Sequence, residues 1–369
     1  MIRLTVSPAD LRRAAEILNA GGIAAFPTET VYGLGARAFD AGALARVFEA
    51  KGRPRFDPLI IHIDRAEALD RVAETAALAP ARRRLLENLI QAFWPGPLTV
   101  ILPKRPEVPL LATAGLLTVA VRLPAHPAAR ELIRLSGGAL AAPSANPFGR
   151  LSPTRAEHVI DTLGDKIDAV VDGGPSAVGV ESTVVDLSGL SPRILRPGGA
   201  GREALEAAAG EPFGFGFAGP APDLPGPGFG SGSGLHSGSG PRSGPAPSPG
   251  MLKSHYAPLV PLVLHTPAEM AALSPEGDAG YLFFSGRNRD EWLARNKAED
   301  SPDRIMALSE EGAAVEAAAG LFERLHRLDR RGFLRRIHAE TLPEEGLGAA
   351  VNDRLRRAAA STDDANAHE

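Results

Sequence analysis

The chain has 369 residues, a hydrophobic fraction of 44% and a formal net charge of −4 at pH 7. These values are typical of a globular protein long enough for two domains, and they argue against a generally basic nucleic-acid binder. The sequence has no cysteine, which excludes disulfides, thiolate zinc sites and thiol nucleophiles. Its first residues lack the apolar core of a signal peptide, and no apolar run reaches the ~18 residues of a membrane span, so we expect a cytoplasmic protein.

The N-terminal half of the sequence alternates between helix and strand patterns. Residues 7–19 predict an amphipathic helix with Ser7 as its N-cap, and Gly21-Gly22 mark its end. Short strands separated by both helices and turns are typical of a mixed rather than a purely parallel sheet. Further helices are predicted at 41–50, 77–92, 126–136 and 154–163, strands at 23–26, 59–63, within 94–102, 117–123, 138–142, 169–172, 182–187 and 193–196, and a rigid turn at 27–35.

The composition changes abruptly near Phe213. From there to Gly250 the chain is dominated by Gly, Pro and Ser, and such a segment cannot bury enough apolar surface to offset the entropy lost on ordering. We therefore predict a linker between two folded domains, disordered at about 226–248. The predicted divisions are a first α/β domain at 1–212, the linker at 213–258, a smaller α/β domain at 259–360 and a polar tail at 361–369.

The second domain repeats the α/β pattern on a smaller scale. Its strongest helix pattern is at 313–328, where leucines and a phenylalanine form an apolar stripe. The other predicted elements are strands at 260–264, 280–284 and 333–339 and helices at 267–273 and 347–360.

The stretch from Lys51 to His62, KGRPRFDPLIIH, carries two cations just before Pro54. Proline fixes its own backbone and disfavours helical backbone in the residue before it, so both cations should lie on an irregular, rigid segment beyond a helix end, beside a strand. An ammonium and a fork-shaped guanidinium grip phosphate or carboxylate in complementary ways. Alone, such a pair is more often two solvated surface charges, so the interpretation depends on the other motifs.

Polar motifs lie at the ends of several predicted strands: PTET after 23–26, PSAN after 138–142 and EST at the start of 182–187. Ligands of α/β sheets gather where strand ends meet loops. We therefore expect hydroxyls and cations to converge on a cleft suited to a polyanion, most simply a nucleoside triphosphate with its metal. The hydroxyl-bearing and cationic side chains are Thr28, Thr30, Ser144, Ser182, Thr183, Lys51, Arg53, Arg122 and Arg196.

Few groups near these motifs suit a metal held by the protein. The local carboxylates are Glu29, Asp57 and Glu181, and no histidine cluster has ligand spacing, so we predict no metal site of the protein's own and Mg²⁺ arriving with phosphates. The sequence has no Walker phosphate loop, complete dinucleotide fingerprint or G-x-S-x-G elbow. A serine hydrolase built on Ser144 would need a histidine partner, which the sequence does not place beside it. The residues by themselves predict an anion-binding α/β enzyme.

Several ordered motifs resemble the threonylcarbamoyl-adenylate synthase family, also called the YrdC family. They are PTETVYGLG, KGRP, PLIIHI, WPGPLT, TVAVRLPAHP, APSAN, GVEST and ILRPG, and they span the chain from about Ser7 to Gly210. The segment around HYAP and the C-terminal GLGAAVNDRLRRAA resemble the long, two-domain form. The resemblance implies an α/β fold with a YrdC-like twisted mixed sheet and a smaller Rossmann-like α/β C-terminal domain.

The resemblance also implies a reaction. L-threonine, bicarbonate or CO₂, and ATP would give L-threonylcarbamoyl-adenylate and pyrophosphate. A nucleotidyltransferase of this kind uses Mg²⁺ with ATP and hands its product to the machinery that makes threonylcarbamoyladenosine in tRNA, with at most weak tRNA contact of its own. No membrane partner is implied.

The family's binding residues carry over onto matching motifs of this sequence. The signature pairs, Lys51 with Arg53 and Ser144 with Asn146, are the predicted catalytic residues, and Arg122 is expected to hold the carboxylate of threonine. His255 and Tyr256 resemble a linker motif that folds over the nucleotide, with Tyr256 as the contact. Implied threonine contacts are Thr30, His62, Arg122, Ala142 and Ser182; implied ATP contacts are Lys51, Arg53, Asp57, Thr118, Ser144, Asn146, Ser152, Arg196 and Tyr256.

Two other functions stay open at this point. One is a double-stranded RNA or tRNA-binding module without turnover, which the net charge of −4 disfavours and which leaves the hydroxyl motifs unexplained. The other is an accessory carbamoyl-transfer domain without activity of its own. The sequence does not give the role of the second domain; gating of substrate entry and product release is a hypothesis motivated by the HYAP segment.

Overall fold

A computed structural model describes residues 1–216 and 255–366. The first domain contains eleven strands and six α-helices, with short 3-10 helices at Ala66–Arg71 and Thr75–Ala77. The strands are β1 (Ile2–Thr5), β2 (Ala24–Phe26), β3 (Gly33–Arg37), β4 (Ile60–Ile63), β5 (Leu98–Pro103), β6 (Thr118–Arg122), β7 (Ala139–Ala141), β8 (Ala169–Asp172), β9 (Thr183–Asp186), β10 (Arg193–Arg196) and β11 (Gly214–Phe215). The helices are α1 (Pro8–Asn19), α2 (Ala41–Lys51), α3 (Pro80–Phe93), α4 (Pro127–Leu135), α5 (Ala156–Leu163) and α6 (Arg202–Ala209).

The strands form one mixed sheet in the order β1-β8-β2-β3-β7-β4-β6-β5-β9-β10-β11. For example, β4 is parallel to β6 and antiparallel to β7. Consecutive strand residues point to opposite faces, so Ala25 packs in the core that includes α2 and α3, while Phe26 packs with α1 and α4. The prediction of a mixed sheet covered by helices is confirmed.

The predicted ends of the first helices have the expected chemistry. The Ser7 side chain accepts a hydrogen bond from the backbone N–H of Asp10, as an N-cap does. Helix α2 ends at Lys51 because Gly52 takes a left-handed conformation, with φ of 61°, which glycine adopts without steric cost. Arg53 lies beyond this turn, as predicted. The prediction of an irregular segment is wrong for Lys51, which is the last residue of α2, because the helix ends only at the left-handed Gly52.

Several elements escaped the sequence patterns. The turn predicted at 27–35 extends too far, because strand β3 begins at Gly33. Two of the five residues of β3 are glycines, so the strand has no alternation of side chains that the sequence could reveal. Strand β11 pairs with β10, and Phe213 is buried in the core, so the chain stays on the first sheet to Phe215. The other missed elements are β1 and α6 here, and a helix at Gly286–Asn296 and a strand at Ile305–Ser309 in the second domain.

The second domain alternates strands and helices. Its elements are β12 (Leu262–His265), α7 (Pro267–Ala272), β13 (Ala279–Ser285), α8 (Gly286–Asn296), β14 (Ile305–Ser309), α9 (Ala314–Asp329), β15 (Arg336–Glu340) and α10 (Gly346–Asn366). The four strands are parallel, in the order β12-β15-β13-β14. Crossover helices connect successive strands, as in Rossmann-like folds. Helix α10 continues to Asn366, beyond the end predicted at Ala360.

The two domains share a hydrophobic cluster. Val31, Leu151 and Val180 of the first domain pack with residues of the second, among them Phe322 on α9. At Gly179, with φ of 75°, a Cβ would lie 2.3 Å from the carbonyl oxygen of Ala318, so this contact requires glycine. The second domain therefore lies directly against the loops that carry the polar motifs.

The segment predicted to be disordered, 226–248, lies outside the described residues. Within the parts of the chain that the structure describes, no helix has both the length and the hydropathy needed to cross a membrane.

Candidate functional site

A cleft opens where several strands of the large sheet end. It lies beyond the carboxyl ends of β2, β6, β7 and β10 and includes the residues just before β9, so the polar motifs converge as predicted. The prediction is wrong for Thr183, whose hydroxyl donates to the carbonyl of Ala200 instead, at 2.6 Å. The end of the linker closes one side. The lining residues are Thr28, Thr30, Val31, Gly33, Arg53, Ile60, His62, Arg122, Ala142, Pro143, Ser144, Glu181, Ser182, Arg196, His255 and Tyr256.

One half of the cleft is organised by Arg122. Its guanidinium donates from Nη1 to the hydroxyl of Thr30 at 2.8 Å and from Nε to the carbonyl of Gly96 at 3.2 Å. Its Nη2 lies 2.6 Å from Glu29 Oε1. Burial raises the pKa of Glu29, but the charge of Arg122 outweighs that effect and leaves the pKa below its usual value. Arg122 is 3% exposed, so this half presents a fixed, desolvated cation.

The other half contains the Lys51 and Arg53 pair. Lys51 is buried and donates to the backbone carbonyls of Ser144, at 2.5 Å, and of Asn146. Arg53 forms a buried ion pair with Asp57 at 2.9 Å and donates to the carbonyl of Pro58. The two signature motifs are thus in direct contact, with the lysine holding the backbone of the Ser144-Ala145-Asn146 loop.

Arg196 joins the two halves. Its Nη2 donates to the carbonyl of Ser182 at 2.9 Å and to the Ser182 hydroxyl at 3.2 Å. That hydroxyl lies 2.7 Å from the hydroxyl of Thr99. Ser182, a predicted threonine contact, and Arg196, a predicted ATP contact, are therefore adjacent.

The end of the linker docks on the first domain. Ala257 donates its N–H to the Gly149 carbonyl at 2.8 Å, and the ring of His255 packs edge-on against Phe148. Tyr256 is fully buried with φ of 63°, a left-handed conformation that is costly for a residue with a side chain. Such a strained backbone persists only where the surrounding structure imposes it, so the packing around Tyr256 holds this residue in a defined position in the cleft.

Not all of the predicted ligand residues reach the cleft wall. Lys51 and Asn146 lie behind Ser144, and Asp57 lies behind Arg53. Ser152 is buried and donates to Glu181 at 2.5 Å. Thr118 is at the opposite end of β6 from Arg122 and is not among the lining residues.

Sequence reasoning missed the part played by Arg354. This residue of α10 is buried and donates from Nε to Glu181 at 2.7 Å. It shares a helix face with the buried residues Val351, Leu355 and Ala358. A charged residue on an otherwise apolar helix face was the signal that could have identified it.

Two family models match the chain. One, described as telomere recombination, matches residues 16–198, and one described as the C-terminal domain of threonylcarbamoyl-AMP synthase matches residues 204–360. The chain is 39% identical to the threonylcarbamoyl-AMP synthase of Pyrococcus abyssi, over 97% of this chain and 96% of that protein. It is 38% identical to the threonylcarbamoyl-AMP synthase of Bacillus subtilis, over 96% and 94%.

This chain belongs to the threonylcarbamoyl-AMP synthase family. The family resemblance found in the motifs is confirmed, and it extends over both domains.

Solved structures of the threonylcarbamoyl-AMP synthase family show the same fold. A crystal structure of P. abyssi Sua5 complexed with L-threonine superposes with a TM-score of 0.78 at 38% identity, covering 98% of each chain. A structure of the P. abyssi protein with one histidine and one tyrosine replaced by alanine gives 0.77 at 37% identity, covering 98% of this chain and 97% of that one. The predicted fold class is confirmed.

His62 makes the stability of this family member depend on pH. Burial, and secondarily the charge of Arg122, lowers the pKa of His62 to about 3 from 6.5. Between these values the unfolded chain binds a proton that the folded chain does not, so stability is lost as pH falls. We expect the free energy of unfolding, measured by urea denaturation from pH 7 to pH 4, to decrease less steeply in His62→Gln than in the wild type. Equal slopes would contradict this assignment.

Proposed function

We propose that this chain synthesises L-threonylcarbamoyl-adenylate and pyrophosphate from L-threonine, ATP and bicarbonate or CO₂. The observation that carries the proposal is the meeting of two differently built halves in one cleft. A buried guanidinium with hydroxyls suits an amino acid, and Arg53, Arg196 and the Ser144 loop suit a triphosphate. The names of relatives aligned over nearly the whole chain support the same activity.

In the first half, Arg122 is proposed to receive the carboxylate of threonine. Its Nη2 and both Glu29 oxygens are buried and, among the described residues, have no partner in hydrogen-bond geometry despite their 2.6 Å approach. A substrate carboxylate would give this donor an acceptor. Thr30 and Ser182 offer hydroxyls beside it, and His62, with its lowered pKa, is neutral at pH 7 and adds no competing charge.

The proposed chemistry requires no nucleophile from the protein. The amine of threonine attacks the carbon of CO₂, so that a C–N bond forms, one C=O π bond becomes the carbamate oxyanion, and the amine proton passes to water. Where bicarbonate is the carbon source, it first loses hydroxide to give CO₂, and that hydroxide takes the amine proton. A carbamate oxygen then attacks the α-phosphorus of ATP, and the bond from that phosphorus to the β-phosphate bridging oxygen breaks, so pyrophosphate leaves with the electron pair. Arg53 and Arg196 are suited to stabilise the charge that develops on the leaving group, and the cleft holds both reactants in position.

Mg²⁺ is proposed to enter with ATP rather than to be held by the protein. Among the side chains that the structure describes, those of residues 1–216 and 255–360, no group of three or more His, Cys, Asp or Glu is arranged to hold a metal ion. The carboxylates beside the proposed triphosphate contacts are both paired with arginines, Asp57 with Arg53 and Glu181 with Arg354. Mg²⁺ bound through phosphate oxygens needs few protein ligands, and it would neutralise phosphate charge.

The product class follows from this reaction. An acyl-adenylate with an activated threonylcarbamoyl group must be consumed by a transfer step, which we propose is carried out by the machinery that modifies tRNA. On this proposal the chain is a nucleotidyltransferase, and tRNA contact is weak.

The direct test is pyrophosphate release from ATP and bicarbonate, with and without L-threonine. We expect release only when threonine is present, together with a product of the mass of threonylcarbamoyl-adenylate. Pyrophosphate release that does not require threonine, or the absence of any release, would contradict the proposal. Binding of tRNA that weakens steeply with salt, without turnover, would instead favour the RNA-binding alternative.

A further inference from the structure

Arg354 connects the second domain to the cleft of the first. It lies on α10, and its side chain is sealed against the first domain, with 1% of the residue exposed. Its Nε donates to Glu181 Oε2 at 2.7 Å, and its Nη1 donates to the carbonyl of Pro197 at 2.9 Å and to Asp353 Oδ2, on the same helix, at 2.6 Å. Glu181 and Pro197 belong to the first domain, and Glu181 lines the cleft.

Through these contacts Arg354 reaches two predicted ATP contacts. The other oxygen of the Glu181 carboxylate accepts a hydrogen bond from the Ser152 hydroxyl at 2.5 Å. The guanidinium carbon of Arg354 lies 5.1 Å from the ring centroid of Tyr256, within the range of a cation–π contact. One side chain of the second domain thus holds a residue from the loop before α5, a residue of the EST motif and a residue of the linker.

Packing alone does not account for an arginine at this place. A buried ion pair is on average no more stabilising than apolar residues of the same volume, because both charges lose their hydration. The Nη2 group of Arg354 is also buried without a hydrogen-bond partner among the described residues, which costs further free energy. What the arginine provides is geometry, since its planar fork sets the Glu181 carboxylate and the Tyr256 ring at fixed positions.

We propose that Arg354 is a positioning residue for ATP. It holds Tyr256 and Glu181, and through Glu181 the hydroxyl of Ser152, in the arrangement that receives the nucleotide. This inference rests on the proposed synthase activity and deepens it by giving the second domain a defined part in that activity. Docking of α10 and binding of ATP stabilise the same arrangement, so each strengthens the other.

The test compares three full-length variants with the wild type. Arg354→Met removes the charge and the fork at similar length, and Arg354→Lys keeps the charge alone. Arg356→Ala is the matched control, since Arg356 is on the same helix with its side chain 54% exposed and pairs only with Glu344 among the described residues. For each protein, KM values for ATP and threonine and kcat are measured by pyrophosphate release, and the Kd of a non-hydrolysable ATP analogue is measured by calorimetry.

We expect Arg354→Met to raise the KM and Kd for the nucleotide about tenfold while the KM for threonine changes less than about twofold. Arg354→Lys should be intermediate, because an ammonium can neutralise Glu181 but cannot also contact Pro197 and Tyr256 as the planar fork does. Arg356→Ala should match the wild type. A merely structural role would not produce this split between the two substrates.

Other outcomes overturn the inference. The inference is overturned if folded Arg354→Met binds the nucleotide with an affinity within about twofold of the wild type. It is also overturned if the KM values for ATP and threonine rise equally. If Arg354→Met does not fold, Arg354→Lys carries the test, and unchanged nucleotide affinity in that variant overturns the inference. The proposed function fails separately, if the wild type releases no threonine-dependent pyrophosphate; the calorimetric comparison then still tests Arg354.

Discussion

Replacing Arg122 with alanine is expected to lower kcat/KM for threonine by about 100-fold or more. The proposed contact with the substrate carboxylate is a charge-assisted pair inside a desolvated site, where such hydrogen bonds are strongest. Arg122 is 3% exposed and is held in place by its hydrogen bonds to Thr30 and Gly96, so its guanidinium is already positioned for the substrate. The measurement is pyrophosphate release against threonine concentration.

The same substitution should also reduce stability. Glu29 would be left as an uncompensated carboxylate in a largely buried position, and breaking a buried pair in this way costs about 3–5 kcal/mol. The double variant Arg122→Met with Glu29→Gln removes that charge and should recover most of the stability but none of the activity. Thermal unfolding measured beside kinetics separates the two effects.

Arg134→Ala is the control for the Arg122 experiment. Arg134 is exposed on α4 and pairs with Glu131, away from the cleft, so neither activity nor stability should change appreciably. If Arg122→Ala kept near-normal threonine dependence while folded, the carboxylate assignment would be wrong.

Replacing Lys51 with methionine is expected to lower pyrophosphate release by about 100-fold at saturating threonine. Lys51 Nζ donates to the carbonyls of Ser144 and Asn146, so its loss frees the loop that is proposed to meet ATP. It also removes one of the cations beside Arg53. We therefore expect both the KM for ATP and kcat to be affected, while threonine affinity, measured by calorimetry, stays close to normal.

The pH dependence gives a second readout for Lys51. Burial, and then the charge of Arg53, lowers the pKa of Lys51 well below 10.5. The ammonium is present below that lowered pKa and is lost as pH rises through it. The wild type should therefore lose affinity for ATP as pH rises, and this loss should be absent from Lys51→Met.

Lys104→Met is the matched control for Lys51. Lys104 also donates to two backbone carbonyls, those of Arg105 and Val108, but it is not among the residues that line the cleft. Its replacement should leave ATP kinetics near those of the wild type. An equal loss in both lysine variants would point to a general effect on folding rather than to the Ser144 loop.

Local sequence signals sufficed where one short segment determines its own structure. The first helix begins at the predicted N-cap because the Ser7 side chain satisfies a free N–H of the first turn. Gly52 ends α2 because glycine accepts a left-handed backbone. Polar motifs that follow apolar strands also converged as predicted, because the ends of neighbouring strands meet at one edge of a sheet.

Local signals failed where glycines or distant pairing decide the structure. Strand β3 has two glycines in five residues and is held by its neighbours β2 and β7 rather than by its own pattern. The two residues of β11 are a strand because they pair with β10. Neither the alternation of side chains nor intrinsic propensity predicts such strands.

Residue identity and short-range order were enough to assign the family, the mixed α/β class and the set of side chains available for chemistry. Which charges face each other depends on contacts between distant parts of the folded chain. Arg122 meets Glu29, 93 positions earlier in the chain, and Arg354 meets Glu181, 173 positions earlier. Such pairs form because folding buries both partners together and a buried charge requires compensation, a condition that no local pattern records.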